Sequence, residues 1–254
     1  MFIMSEALRV YWQPGCSSCV KVKELLTQLN VPFEAINIQE QPEAFRELAK
    51  RGIRSVPVLI RGDESIFGQS LNDVATFVGK KLDHQRLPVP ELLQRWTYFL
   101  HTARALIAQI PDALIDQRPV AERDRTYCQL SYHIFQIADS FLLSVEEGMT
   151  DTREVTDAVL DHIRTVPDLL AYADPIIARH ARWWEKQADK HCDFSIETYY
   201  GPQDAATVIE RSTWHTAQHA RQLDHTLGAA VPGVKSRINP DMFVGLPIPQ
   251  ALWQ

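Results

Sequence analysis

No stretch of this chain approaches the roughly 18 consecutive apolar residues that a membrane-crossing helix needs, so no membrane partner is expected. A basic run is also missing. The 26 Lys and Arg are outnumbered by 32 Asp and Glu, giving a net charge of -6, which argues against nucleic acid or an anionic surface as partner. Cysteine is scarce. Cys16, Cys19, Cys128 and Cys192 are the four in 254 residues, too few and too scattered for a disulfide-stapled secreted domain. The start, Met1-Phe2-Ile3-Met4-Ser5-Glu6, has no basic segment leading into an apolar one, so no secretory leader is expected and the cytoplasm is the expected compartment. Internal repeats and low-complexity tracts are absent.

What is present is an ordinary globular composition, 45% apolar and 23% charged, in a chain long enough for two packed cores. The first part alternates short strand-like and helical segments. Ala7 to Trp12 reads as a strand, Cys16 to Leu29 as a helix and Phe33 to Asn37 as a strand. Glu43 to Arg51 is helical, and Pro57 to Ile60 and Ser65 to Phe67 are strands around a turn at Arg61-Gly62-Asp63-Glu64. Asn72 to Val78 closes the set as a helix. This βαβαββα order predicts a small α/β sheet covered by helices. A polar, proline-bearing linker follows. Four long helical stretches come next: Glu91 to Gln109, Arg123 to Glu147 with Gly148 as its stop, Pro167 to Lys190, and Asp204 to Leu227 with Gly228 as its stop. Pro175 is expected to break or kink the third. Four such helices predict an antiparallel bundle. The end, from Val231 to Gln254, holds four prolines and two glycines and reads as an irregular tail.

Cys16 and Cys19 fall where a strand gives way to a helix. A cysteine at a helix N-terminus is favoured as thiolate by the free backbone N–H groups and the helix dipole. A thiolate attacks a disulfide, and a second cysteine two intervening residues on resolves the mixed disulfide. Cys16 is therefore the expected nucleophile and Cys19 the expected resolver. A zinc ribbon would need a second close pair, whereas Cys128 and Cys192 each stand alone. The loop Tyr11-Trp12-Gln13-Pro14-Gly15-Cys16-Ser17-Ser18-Cys19 resembles the active-site loop of glutaredoxins. Arg54-Ser55-Val56-Pro57-Val58 resembles their cis-proline loop, and Gly68-Gln69-Ser70 their last turn before a helix. The resemblance implies a thioredoxin-like domain over residues 1–80 with Pro57 cis beside Cys16. It also implies a glutathione-type site with the backbone of Val56 pairing with a peptide-like thiol, Gln69 and Ser70 near its γ-glutamyl end and Gln13 near the other. Ser17-Ser18 stands where many glutaredoxins carry Pro-Tyr, which leaves glutathione and a protein disulfide both open as partners.

Among nine histidines, His215 and His219 are i and i+4 on one helix, so their imidazoles face one way and can share a metal ion. The spacing alone is weak evidence. His133, in the apolar run Ser131 to Ile137, is the best third ligand, with an alternative register that puts Gln136 at that place. A histidine midway along the second bundle helix followed by His215-Thr216-Ala217-Gln218-His219-Ala220-Arg221-Gln222-Leu223 resembles the DinB-like superfamily. That resemblance implies an all-α four-helix bundle over 90–228, between a linker at 81–89 and a tail at 229–254. It also implies three histidines around a divalent metal, zinc or nickel, and a homodimer among the assemblies. Three neutral imidazoles leave a position open for water or a thiolate, whose pKa the ion lowers. Gln136 and Gln222 are candidates to orient a ligand. His101, His180, His191 and His225 lack a partner at usable spacing and are expected to be structural. Trp96, Tyr98, Trp183 and Trp184 are expected to pack the bundle or the domain interface.

Both halves thus point to low-molecular-weight thiol chemistry. The leading expectation is a thiol–disulfide oxidoreductase joined to a metal-dependent thiol transferase or isomerase, acting on a small thiol and a thiol adduct or disulfide. Fusion would raise the effective concentration of one site for the other's product. Two other readings are a redox or metal sensor without turnover, and a glutaredoxin with a structural bundle.

Overall fold

The computed structural model describes residues 6–120, 124–152, 161–235 and 237–253. Met1–Ser5, which bear on the expected lack of a leader, and Arg123, the expected first residue of the second bundle helix, lie outside them. The described chain forms two compact units. One runs through Gln85 and takes in the end of the chain from Pro249; the other spans Arg86–Ile248. The expected separate tail is therefore divided between the two. Gln250 and Ala251 donate their backbone N–H groups to the carboxylate of Glu24, which fastens this last stretch to the first unit.

The first unit follows the order β1 (Arg9–Trp12), α1 (Ser17–Gln28), β2 (Glu34–Asn37), α2 (Pro42–Lys50), β3 (Val58–Arg61), β4 (Glu64–Phe67) and α3 (Leu71–Phe77). Its sheet has the order β2-β1-β3-β4, with β1 and β2 parallel and the other pairs antiparallel. A parallel pair needs a crossover, and α1 supplies it. Arg61 pairs with Glu64 across a two-residue turn, and Gly62, at φ 62°, takes its left-handed first position. Side chains alternate across the sheet. Val10 and Leu59 point to Val22, Leu25 and Leu26 of α1 and Val74 of α3, while Tyr11, Val58 and Ile60 point to Ala44 and Leu48 of α2. The Tyr11 hydroxyl donates to Glu47 at 2.6 Å and Arg9 donates to the same carboxylate at 2.9 Å, so β1 and α2 are tied at one point.

The second unit holds α4 (Val89–Ile107), α5 (Tyr127–Glu147), α6 (Val166–Lys186), the hairpin β5 (Ser195–Thr198) and β6 (Gly201–Asp204), and α7 (Ala205–Ala230). Both α4 and α5 pack against α6 and α7, which closes a four-helix bundle around Trp96, Phe99, Leu100, Phe135 and Leu223. Thr126 and Gln129 form a reciprocal capping box at the start of α5, and Thr165 with Asp168 does the same for α6. Gly148 ends α5 in the left-handed conformation, as expected.

Four sequence expectations need correction. Pro175 does not break α6, because Leu169, Ala173, Ile176 and Ile177 on either side of it are buried and hold the helix to the core. That helix stops at Lys186 rather than Lys190, since Lys190 folds back and donates to the carbonyl of Trp184 at 2.6 Å. Gly228 does not end α7, which runs on to Ala230; the missing side chain instead makes room for the guanidinium of Arg237. The linker is shorter than 81–89, because α4 already begins at Val89 on the fixed φ of Pro88 and Pro90.

His180 is 1% exposed, edge-on to Trp96 at 4.6 Å, and its Nε2 has no partner among the described residues. Burial, helped by the nearby charge of His101, pushes its pKa down to about 4 from an ordinary 6.5. Below pH 6.5 the unfolded chain takes up a proton that the folded chain refuses, so this residue costs stability as pH falls from 6.5 toward 4. His180→Phe keeps the ring contact and removes the ionisation. Its unfolding free energy, read from urea unfolding, should fall less than that of the parent between pH 7 and pH 4.5, by roughly 2–3 kcal/mol; parallel pH profiles would contradict this.

Candidate functional site

The first cluster lies at the end of β1. Cys16 is the N-cap residue of α1, and its sulfur accepts from the backbone N–H of Cys19 at 3.1 Å. A capping position that normally holds a serine or aspartate oxygen is thus filled by sulfur, in the field of the helix N-terminus. Gly15, at φ 87°, turns the chain into the cap. Cys16 and Cys19 are joined as a disulfide, the oxidised end point of an exchange pair. Cys16 is partly exposed, while Cys19 is 0% exposed, the arrangement a nucleophile and a resolver require.

The Val56–Pro57 peptide bond is cis, and the carbonyl oxygen of Val56 lies 3.8 Å from Cys16 Sγ. Gly68 packs directly beneath: its N–H donates to the Pro57 carbonyl at 2.8 Å, and a Cβ there would sit 2.9 Å from both Pro57 Cγ and Val22 Cγ2. Gln13 is partly exposed on the loop. Gln69 and Ser70 are buried, and the Ser70 hydroxyl is engaged in capping α3 by accepting from the N–H of Asp73. Ser17 and Ser18, the spacer residues, are both buried, and the Ser17 hydroxyl has no partner among the described residues.

The second cluster joins α5 and α7, which run antiparallel: Tyr127 meets Thr226 at one end and His133 meets His219 and His215 further along. The ligand-capable nitrogens of His133, His215 and His219 all lie within 4.8 Å of one another, and the Nε2 atoms of His215 and His219 are 3.1 Å apart. His133 Nδ1 is 3.1 Å from Gln136 Oε1, and His219 Nδ1 is 2.8 Å from Gln222 Oε1. A carbonyl oxygen only accepts, so both Nδ1 atoms carry the proton and both Nε2 lone pairs face the cluster. Gln136 thus lies against His133 Nδ1, and His133, not Gln136, is the residue whose nitrogen gathers with those of His215 and His219. Burial holds His215 and His219 well below the usual imidazole range, with Arg211, His133 and Arg125 adding to it for His215, and His133, His215 and Arg125 for His219. The two imidazoles are thus neutral at pH 7, the protonation state that ligates a metal. Arg125, not among the sequence candidates, had no spacing signal to mark it. His101, His180, His191 and His225 are not brought to the cluster, and Trp96 and Trp183 pack the bundle core as expected.

The glutaredoxin family model matches residues 8–66. A glutaredoxin-like protein NrdH from Lactococcus lactis subsp. lactis is 33% identical over 66 residues, which is 26% of this chain and 92% of that protein. The protein of the same description from Escherichia coli K12 is 34% identical over 61 residues, 24% of this chain and 75% of its own length. Among solved structures, a protein assigned to the DinB family from Exiguobacterium sibiricum 255-15 is similar over 63% of this chain and 100% of its own, at 21% identity and a TM-score of 0.44.

The close packing under Pro57 gives a direct test of the first cluster. Gly68→Ala should lower the unfolding free energy, read from urea unfolding, by about 1–3 kcal/mol, because the added methyl meets packed ring and methyl carbons rather than a flexible chain end. A variant as stable as the parent would show that this contact is not tight.

Proposed function

The chain belongs to the glutaredoxin family through its first unit, and from that premise we propose that it exchanges thiols and disulfides at Cys16 and Cys19 with glutathione or a related small thiol as co-substrate, while its second unit holds a divalent ion, zinc or nickel, and processes a thiol or its adduct there. The observation that carries the reading is the place of Cys16 as the sulfur cap of α1, with Cys19 enclosed behind it.

In the reduced pair, the Cys16 thiolate attacks one sulfur of a substrate disulfide, forming a mixed disulfide and releasing the other sulfur as thiolate. The N–H of Cys19, aimed at Cys16 Sγ, favours the charged form of the nucleophile. The Cys19 thiol then loses its proton and attacks Cys16 Sγ; the second substrate thiolate leaves, and Cys16–Cys19 is formed. Two electrons from two equivalents of a small thiol, or from one dithiol, restore the pair. Gln13 and the main chain of Val56 are open to the peptide-like part of such a thiol, while Gln69 and Ser70, being buried, shape the floor beside it.

The bundle residues fit a divalent ion. Tetrahedral zinc with bonds of about 2.0–2.1 Å places its nitrogens about 3.4 Å apart, near the 3.1 Å between His215 and His219, with all three imidazoles gathered within 4.8 Å. His133, His215 and His219 would hold it, and Gln136 and Gln222 fix which nitrogens face it. Such an ion supplies the positive charge that keeps a ligand sulfur as thiolate. Both units then handle sulfur in one ionisation state, which favours an enzyme over a sensor or a structural bundle.

Two experiments separate the halves of this reading. With a glutathione mixed disulfide as substrate, Cys16→Ser should lose reduction entirely, whereas Cys19→Ser should accumulate a glutathionyl adduct on Cys16 visible by mass spectrometry. Equal turnover by parent and Cys16→Ser would overturn the nucleophile assignment. In equilibrium dialysis the full chain should retain about one zinc or nickel ion, lost on His219→Ala and weakened about 10–100-fold by Gln222→Ala. Absence of a bound ion would remove the metal half and leave the cysteine chemistry standing.

A further inference from the structure

Arginines in the bundle are generally paired with acids. Arg179 meets Asp139, Glu146 and Glu147; Arg104 meets Asp174; Arg95 meets Glu91; Arg237 meets Asp224. Arg125 is different. Its Nη1 is shut off from solvent and has no hydrogen-bond partner among the described residues, and burial alone pulls its proton affinity down, with no carboxylate offsetting it. The backbone around it is fixed, because Thr126 closes the capping box of α5 and buried Tyr127 reaches Thr226 of α7. Its charge is felt at both His215 and His219, so the guanidinium lies within electrostatic reach of that pair.

An enclosed, uncompensated cation is costly. Next to a cluster of imidazoles suited to a second cation it has the wrong sign, unless an anion lies between them. No carboxylate of the described chain joins the histidine cluster. Among the described residues no acid fills that place, and a ligand can bring the anion with it. A guanidinium presents a planar fork of donors that matches a carboxylate through two parallel hydrogen bonds.

We propose that Arg125 is the specificity-determining residue of the bundle site, and that it binds a carboxylate carried by the thiol or thiol adduct that occupies the site. This rests on the reading of the histidine cluster given above, and it adds a substrate class: thiols bearing a carboxylate within a few bonds of sulfur. Arg211 and Arg221 are also on α7, but each already has interactions of its own.

The test uses the full chain with Cys16→Ser and Cys19→Ser, so that added thiols do not react at the first unit. Titration calorimetry compares mercaptoacetate with 2-mercaptoethanol, which share a thiol and differ by the carboxylate, on zinc-loaded and on metal-free protein. Mercaptoacetate should bind tighter by about tenfold or more, the worth of a charge-assisted pair. Arg125→Gln should bring the ratio to about one and should raise the melting temperature of the ligand-free protein, since an unpaired buried charge is gone. Arg125→Lys, with charge but no fork, should keep part of the preference. Equal affinity for both thiols, the same preference in Arg125→Gln, or no binding of either overturns the proposal. Tighter binding of 2-mercaptoethanesulfonate than of mercaptoacetate overturns the carboxylate assignment. Zinc content, measured separately, keeps the two readings apart. Zinc bound without a carboxylate preference sinks Arg125 alone, and a preference that persists without zinc and vanishes in Arg125→Gln sinks the metal alone.

Discussion

The second unit is organised around three imidazoles packed between α5 and α7, two of which, His133 and His219, have Nδ1 held by a neighbouring glutamine. Gln136 and Gln222 each sit three residues past the histidine they restrain, so one helical turn supplies both the ligand and its orientation. With those two rings oriented, His219 Nε2 faces His215 Nε2 at 3.1 Å. A neutral N–H of one ring or a shared cation can bridge that gap, while burial disfavours the imidazolium form of His215 and His219. The antiparallel run of α5 against α7, fixed by Tyr127 and Thr226 at one end, is what brings His133 to the pair.

The first unit solves a related problem with different parts. Its helix α1 begins on a sulfur, and the backbone N–H of Cys19 points at that sulfur. Here a helix end offers partial positive charge to a thiolate; in the bundle, an ion would offer full charge. On the proposed function the two units would share a preference for sulfur in its anionic form, reached through a helix terminus in one and through a histidine-held ion in the other. The packing of Gly68 against Pro57 and Val22 holds the floor of the first site, as the glutamines hold the walls of the second.

Much of this was legible in the residue order. The strand-helix alternation, the pair Cys16 and Cys19, and the i, i+4 spacing of His215 and His219 are local signals, and local geometry decides them. Boundaries were less legible where a long-range contact intervened: Lys190 folding onto Trp184 shortens α6, and Arg237 over Gly228 leaves α7 uninterrupted. The hairpin β5–β6 escaped notice because Ser195 to Thr198 offers one buried residue, Ile196, and the turn Tyr199-Tyr200 carries none of the usual turn residues. Arg125 was invisible for a deeper reason. What marks it is the lack of a counter-charge among the described residues, and a sequence with ample acidic residues gives no hint which arginine that will be.

The central claim is that sulfur of a small thiol meets an ion held by the three histidines. X-ray absorption on the zinc-loaded full chain carrying Cys16→Ser and Cys19→Ser, so that an added thiol reacts at neither, tests it most directly. On adding a small thiol, the account predicts a shell of nitrogens at about 2.0 Å joined by one sulfur at about 2.3 Å. A shell that stays free of sulfur, or one dominated by sulfur as at a cysteine site, would contradict it.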